Sequence, residues 1–334
     1  MQRATAAAPA NIAFIKYWGT RDPDATLPYN PSISMTLSEC VSRCTIERRE
    51  GPAGDDEVLF RPRGGDLAPA PPGFASGVRR HLAALSEWAG VSGPFRVATE
   101  NTFPTGAGIA SSASGFAALA LAFTGLVERT VSPRELSVLA RQSGSGSAAR
   151  SALGGYVEWP AGDEEAEGYA FELAAAERWE LHDLVAVVDA GRKGVSSRDG
   201  HEAAPTSPYF QARLELLPER LEIVREAIAA RSLADLGPVV EEEAIDLHLV
   251  AMSSRPPIFY WRPATLAVLA AVRELRSDGV SVWATIDAGP NVHLICEPQG
   301  VEPVAARIGA MPEVRELIRD RVGAGPRLLK EPVA

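Results

Sequence analysis

Hydrophobic positions recur along this chain with two spacings. Short β-compatible runs bounded by Pro and Gly predict strands over residues 10–17, 32–37 and 42–48. A Pro/Gly-rich stretch, 61–73, reads as a mobile surface loop. Helical periodicity then covers 74–89, a strand fits 95–99, and a stretch of small residues at 104–115 leads into an alanine-rich helix ending near Arg129. Residues 132–142 open on Ser-Pro-x-Glu, a helix-start signature, and 154–159 fits another strand. Between 161 and 180 the chain turns acidic and loop-like. A buried strand follows at 184–189, then long helical patterns at 209–230, 233–252 and 264–277. Strands at 280–286 and 292–296 and a helix at 301–310 complete the pattern. Strands and helices mixed without regular βαβ alternation predict an α+β fold, with two lobes, 1–179 and 180–334, meeting near Trp179. No internal repeat or low-complexity segment interrupts them.

Composition narrows the function. With 334 residues and 46% hydrophobic side chains the chain can bury a large core. The balance of 33 basic against 43 acidic residues, net −10, disfavours nucleic acid and anionic membrane as partners, so an anionic ligand needs a local cationic pocket. No run approaches the roughly 18 apolar residues of a membrane span, and the first ten residues lack the apolar core of a signal peptide. The expectation is a soluble, cytoplasmic protein. Cys40, Cys44 and Cys296 are too few for a disulfide framework, and the five histidines show no metal-ligand spacing, so no structural metal is expected.

Four segments concentrate reactive side chains. The first is P-T-G-A-G-I-A-S-S-A-S-G at 104–115, where Gly106 and Gly108 allow close backbone approach, Ser111 and Ser112 offer hydroxyls, and a helix start supplies free N–H groups. Two readings are open: a phosphate seat, or a helix start kept small for packing. The spacing is neither the Walker pattern nor a dinucleotide fingerprint. The second segment, A-P-A-N-I-A-F-I-K-Y-W-G-T-R at 8–21, delivers Asn11, Lys16 and Tyr17 at a strand end. A lysine there is either a solvated charge or, between Phe14, Ile15, Tyr17 and Trp18, a partly buried functional ammonium. The third, S-G-S-G-S-A-A-R-S-A-L-G-G at 143–155, sets Ser145, Ser147 and Arg150 to hold an anion or forms a flexible turn; arginine suits a carboxylate through its planar fork. The fourth, T-I-D-A-G-P-N at 285–291, ends an apolar strand with Asp287, a functional carboxylate or a turn former.

Taken together these segments resemble the diphosphomevalonate decarboxylases of the GHMP kinase superfamily. The family's A-P-x-N-I-A-x-x-K-Y-W-G stands at 8–19, N-x-F-P-T-x-A-G-x-A-S-S-A at 101–113 and G-S-G-S-A-x-R-S-x-x-G-G at 144–155. P-P-I-F-Y stands at 256–260 and D-A-G-P-N at 287–291. The resemblance implies the two-lobed GHMP kinase fold, an active site in the cleft between lobes, ATP and Mg²⁺ as cofactors, and a homodimer. It implies an ATP-dependent carboxy-lyase that phosphorylates the tertiary 3-hydroxyl of a 5-phosphorylated mevalonate, after which phosphate and CO₂ leave. Asp287 would orient or deprotonate the hydroxyl, Lys16 would neutralise charge beside it, and Arg150 would pair with the substrate carboxylate. Asn11, Tyr17, Ser145 and Ser147 would help fix the substrate, with Ser196 and Ser197 of K-G-V-S-S at its edge. Asn101, Pro104, Gly106, Ala107, Gly108, Ser111 and Ser112 would cradle the nucleotide phosphates, Ser112 also contacting Mg²⁺.

Two departures from the family pattern remove positive charge. Thr20 stands where the family places a lysine after K-Y-W-G, and A-P-P-G at 70–73 stands where an arginine commonly enters the next helix. A terminal phosphate carries roughly one to two negative charges, so the loss favours a 5-monophosphate substrate giving isopentenyl phosphate; against it stand Arg21, Arg192 and Lys193, candidates to substitute for the missing cations. The alternatives are the 5-diphosphate decarboxylase giving isopentenyl diphosphate, a small-molecule kinase without decarboxylation, and a catalytically silent nucleotide-binding protein.

Overall fold

A computed structural model of the chain describes residues 2–52, 55–104, 109, 111–162, 168–189, 191 and 194–333. The first strand, β1 (Arg3–Ile15), starts earlier than its pattern predicts, because Ala6, Ala7 and Ala8 are all buried yet carry little hydrophobic signal. A small hairpin, β2 (Thr20–Asp22) and β3 (Leu27–Pro28), leads into β4 (Ser32–Arg48), one continuous strand where the pattern predicts two. The polar link that separates the two runs is held from the far half of the chain. The Asp320 carboxylate accepts the N–H groups of Ser38, Glu39 and Cys40 at 2.7 to 2.9 Å. β1 and β4 pair antiparallel, with Asn11 opposite Thr36 and Ala13 opposite Ser34.

β5 (Glu57–Arg61), β6 (Ala68–Pro69), β7 (Phe95–Asn101), β8 (Tyr156–Trp159) and β9 (Phe171–Ala174) extend this sheet. Two expected loops therefore carry structure: 61–73 holds β6 and the start of α1 (Pro72–Ala89), and 161–180 holds β9. α2 (Ser111–Leu126) lies across β1 and β4, and its buried Ala113, Ala117, Ala118, Ala120 and Ala122 allow the close approach. α3 (Pro133–Arg141) realises the expected capping box, Ser132 Oγ accepting from Glu135 N and Ser132 N donating to Glu135 Oε2. The one-turn helix α4 (Ala148–Ser151) follows the serine-glycine segment.

The second sheet runs β11 (Val282–Thr285), β12 (Val292–Cys296), β10 (His182–Val187) and β13 (Glu316–Arg321), all antiparallel. Both its faces are covered. Leu184 and Ala186 point into a core with α8 (Pro263–Ser277) and α9 (Val301–Gly309), whereas Val185 and Val187 face α6 (Phe210–Ala230) and α7 (Leu233–Ser253). Side chains alternate across a strand, so a strand covered on both sides reads as a continuous apolar run. The short helix α5 (Ser197–Ala203) precedes α6. β14 (Arg327–Leu329) returns to the first sheet and pairs with β1 at Thr5, Ala6 and Ala7. Among the described residues no helix is long and apolar enough to cross a membrane.

Candidate active site

The end of β1 and the turn after β11 meet at one ion pair. Lys16 Nζ lies 2.6 Å from Asp287 Oδ1 and 2.7 Å from the Ala13 carbonyl oxygen. The lysine side chain is 1% exposed, while 24% of the aspartate side chain remains open to solvent. The ammonium is therefore sealed behind the carboxylate. The turn holding Asp287 is clamped at its far end: Asn291 Oδ1 accepts the Val188 and Asp189 N–H groups at 2.8 and 3.0 Å, and Thr265 Oγ1 donates to the Pro290 carbonyl at 2.6 Å.

Arg150, on α4, is buried beside this pair. Its Nε donates to Ser34 Oγ at 3.1 Å, its Nη1 donates to Ser32 Oγ, and Nη2 reaches Asn11 Oδ1 at 3.3 Å. Asn11 departs from the expected substrate contact. It is 1% exposed, with its oxygen toward Arg150 and its Nδ2 donating to Ser151 Oγ at 2.8 Å and the Ser147 carbonyl at 3.3 Å. Both ends of the Asn11 amide are thus engaged inside the protein, its oxygen on Arg150. Ser145 and Ser147 line the turn entering α4, both half-buried. Gly146 is packed so closely there that an added Cβ would stand 2.5 Å from the Trp159 ring and 2.7 Å from Tyr17.

Tyr17 stacks on His201 with ring centroids 4.0 Å apart, and its hydroxyl bonds Thr20 Oγ1 at 2.6 Å. Thr20 is thus a partner of the site's phenol in the place where the family pattern has a cation. His201 Nδ1 accepts the Gly19 N–H at 3.0 Å, a bond that Gly19 makes in the left-handed region, φ 97°. Ser196 caps α5, its hydroxyl bonded to Asp199, and Ser197 is exposed on the first turn. Directly after them Arg198 reaches the Gly144 carbonyl at 3.4 Å. Sequence reasoning overlooked Arg198, although it follows the Ser-Ser motif; only the fold brings it beside the serine-glycine turn.

Electrostatics follow burial. Burial pushes Lys16 below the ordinary lysine value, against the charge and hydrogen bond of Asp287, which pull it back. Burial pushes Asp287 up, but the Lys16 charge and hydrogen bond, with His293 and Arg150, bring it below its ordinary value. Arg150 is lowered by burial to about 10 and stays charged at neutral pH. Burial raises Tyr17 to about 12, keeping a phenol, and lowers His201 to about 3, keeping a neutral ring that can accept from Gly19. The Asp287 carboxylate is thus faced by Lys16 and Arg150.

Of the residues expected to hold nucleotide phosphates, Asn101 ends β7, and Ser42 Oγ ties it to the first turn of α2. Ser42 Oγ lies 2.7 Å from both Asn101 Oδ1 and Ser114 Oγ. Ser111 and Ser112 open α2, where first-turn N–H groups lack helical partners. Ser112 also lines a small cavity with Thr99, Phe74, Val78 and Phe116. Pro104 is half-buried, while Gly106, Ala107 and Gly108, like the candidate cations Arg192 and Lys193, lie outside the described residues.

Comparison with known proteins bears on this arrangement. Residues 8–170 match the family model of the diphosphomevalonate decarboxylase-like N-terminal domain, and residues 183–324 match that of the mevalonate 5-diphosphate decarboxylase C-terminal domain. The chain belongs to the diphosphomevalonate decarboxylase family. It is 39% identical to diphosphomevalonate decarboxylase mvd1 of Aspergillus fumigatus over 334 aligned positions, covering 92% of this chain and 80% of that protein. The mevalonate diphosphate decarboxylase of Enterococcus faecalis superposes with a TM-score of 0.88 at 32% identity, each chain 99% covered. A structure of MDDEF in complex with MVAPP, AMPPCP and magnesium gives 0.88 at 33% identity, again covering 99% of both chains. The fold is accordingly the α+β GHMP kinase fold that these decarboxylases share.

Proposed function

We propose that the chain catalyses ATP-dependent decarboxylation of mevalonate 5-diphosphate in the mevalonate pathway, giving isopentenyl diphosphate, ADP, phosphate and CO₂. The observation that carries this reading is the 2.6 Å Lys16–Asp287 pair with Arg150 beside it. The relatives named for the diphosphate substrate favour it over the monophosphate expected from the missing cations. Counting cations along the sequence missed Arg198, which the fold sets beside Gly144 and close enough for its charge to act on Tyr17.

Each side chain has work suited to its surroundings. Asp287, ionised and partly open, accepts a hydrogen bond from the 3-hydroxyl and aims that hydroxyl oxygen at the terminal phosphate of ATP, the hydroxyl proton passing to the transferred phosphate and leaving with it. A carboxylate held below its ordinary value is a better orienting group than a proton sink, and phosphoryl transfer needs positioning more than a strong base. Lys16 offsets negative charge gathering at that oxygen. Arg150 takes the substrate carboxylate, and the phenol of Tyr17, the hydroxyls of Ser145, Ser147 and Ser197, and Arg198 lie toward the 5-diphosphate end. When the phosphate departs, positive charge grows on the tertiary carbon. Asp287 steadies it until the C–C bond electrons form the alkene and CO₂ leaves.

The opening turn of α2 fits nucleotide phosphates, with Ser111 and Ser112 hydroxyls at a helix start. Mg²⁺ would be carried on the nucleotide phosphates, with the Ser112 hydroxyl as its protein contact. When bound, Mg²⁺ neutralises charge on those phosphates. The family resemblance also supports lobes at 1–179 and 180–334, a homodimer and a cytoplasmic enzyme. The test is incubation of purified protein with ATP-Mg²⁺ and, separately, mevalonate, its 5-phosphate and its 5-diphosphate, counting ADP and trapped CO₂. Equal ADP and CO₂ from the 5-diphosphate is expected. ADP without CO₂ means a kinase, and preference for the 5-phosphate restores the other substrate.

A further inference from the structure

Both backbone hydrogen-bonding groups of Lys16 are gripped by one buried ionic network. Its N–H donates to Glu243 Oε1 at 3.1 Å, and its carbonyl accepts from Arg213 Nη2 at 2.8 Å and Asn30 Nδ2 at 2.9 Å. Arg213 Nη2 also donates to that same glutamate oxygen, while Oε2 takes Arg220 Nη1 at 2.9 Å. Arg220 continues to Asp246 at 2.7 Å. Side chains of Arg213 and Glu243 are 1% and 0% exposed. A buried carboxylate–guanidinium pair contributes little stability by itself, because desolvation offsets the attraction and apolar replacements are often equally stable. This pair instead fixes the peptide groups on either side of one side chain, and that side chain is the ammonium facing Asp287.

We infer that Glu243, together with Arg213, is a positioning residue that sets Lys16 against Asp287; the inference rests on the role proposed above for Lys16. α6 and α7 thereby reach the reacting centre without touching substrate. The carboxylate also acts on the ammonium through space. Charged and titratable groups facing Lys16 are Asp287 and Glu243, which favour its charge, and Arg150, Arg213 and His248, of which Arg150 opposes it. Geometry and charge are separable by substitution. Glu243→Asp keeps the charge paired, and with it the fold, but withdraws the oxygen from the Lys16 N–H. Glu243→Gln keeps an oxygen there and removes the charge.

Glu243→Asp is expected to lower kcat about 100-fold, the effect of misplacement by about 1 Å, with nucleotide KM close to wild type. Glu243→Gln is expected to move the alkaline limb of the kcat profile to lower pH, together with the Lys16 Nζ titration. That titration is readable by NMR because Lys16, Lys193 and Lys330 are the only lysines. The double variant Arg213→Met/Glu243→Leu fills the space with apolar groups. It is expected to melt near the wild-type temperature yet stay slow, whereas a merely structural pair predicts wild-type kcat once stability returns. Glu242→Gln, an exposed partner of Arg220, serves as the unaffected control. Wild-type kcat in Glu243→Asp or in the stable double variant, or an unmoved Lys16 titration in Glu243→Gln, overturns the inference. Failure of the wild-type protein to convert mevalonate 5-diphosphate would sink the proposed function alone, because the Lys16 titration needs no turnover.

Discussion

Asp287→Asn separates chemistry from binding at this centre. The substitution is nearly isosteric, and the amide oxygen can still accept from Lys16 Nζ at the 2.6 Å contact. What disappears is the negative charge that orients the 3-hydroxyl and balances the buried ammonium. Loss of a positioned acid–base group lowers turnover by roughly 10² to 10⁴, or about 3 to 5 kcal/mol in the barrier. Breaking a fully buried pair costs about 3–5 kcal/mol of stability, and because a quarter of the Asp287 side chain is open the expected loss is about 2 kcal/mol. Linkage gives a second signature. Asp287 lies below its unfolded value, so its contribution is present above about pH 4 and is lost as pH falls through the folded value; the variant lacks this acid limb. Lys16 also lies below its unfolded value, so between the folded value and about pH 10 the unfolded chain binds more protons and stability rises with pH. Without Asp287 to pull Lys16 back up, that window opens at lower pH. The assay is ADP and CO₂ release in single turnover, with nucleotide affinity by direct titration and denaturation across the pH range. A variant turning over within about tenfold of wild type, or losing nucleotide affinity in proportion to turnover, refutes the assignment.

Three further outcomes are expected. Arg198→Met should raise KM for the 5-diphosphate more than for the 5-phosphate, as steady-state kinetics on both will show, because the side chain lies toward the end where they differ. Gly146→Ala drives a methyl group against Trp159 and Tyr17 and should cost about 1–3 kcal/mol, read by thermal melting, with a raised substrate KM. Asp320→Ala strips the acceptor from three N–H groups of β4 and should cost about 3 kcal/mol in a denaturant titration while leaving the kcat of the folded fraction unchanged.

Where apolar periodicity was strong the sequence reading and the fold coincide, as at α6, α7 and α8. It failed where burial is carried by small or polar residues. Ala6 and Ala7 in β1 are fully buried without appearing hydrophobic, and the polar middle of β4 is a strand only because Asp320 satisfies its N–H groups. β13, with Glu316, Arg319, Asp320 and Arg321 around a single apolar pair, and the three-residue β14 carry no alternation that marks a strand. The candidate site shows the same division. Lys16, Arg150 and Asp287 were singled out from local motifs, and the fold brings them together. Asn11 was assigned to substrate because a motif shows which residues recur, whereas its amide bonds are visible only in space. Glu243 and Arg213 stand in ordinary-looking amphipathic helices, and nothing in a charged residue at helical spacing announces that it turns inward.

The pairing of β14 with β1 has a consequence for synthesis. Until residues 327–329 have left the ribosome, the border of β1 at Thr5, Ala6 and Ala7 has no neighbour, and Leu328 is not yet seated against Gly125 of α2. The first sheet therefore keeps an open seam at that border until residues 327–329 arrive to close it.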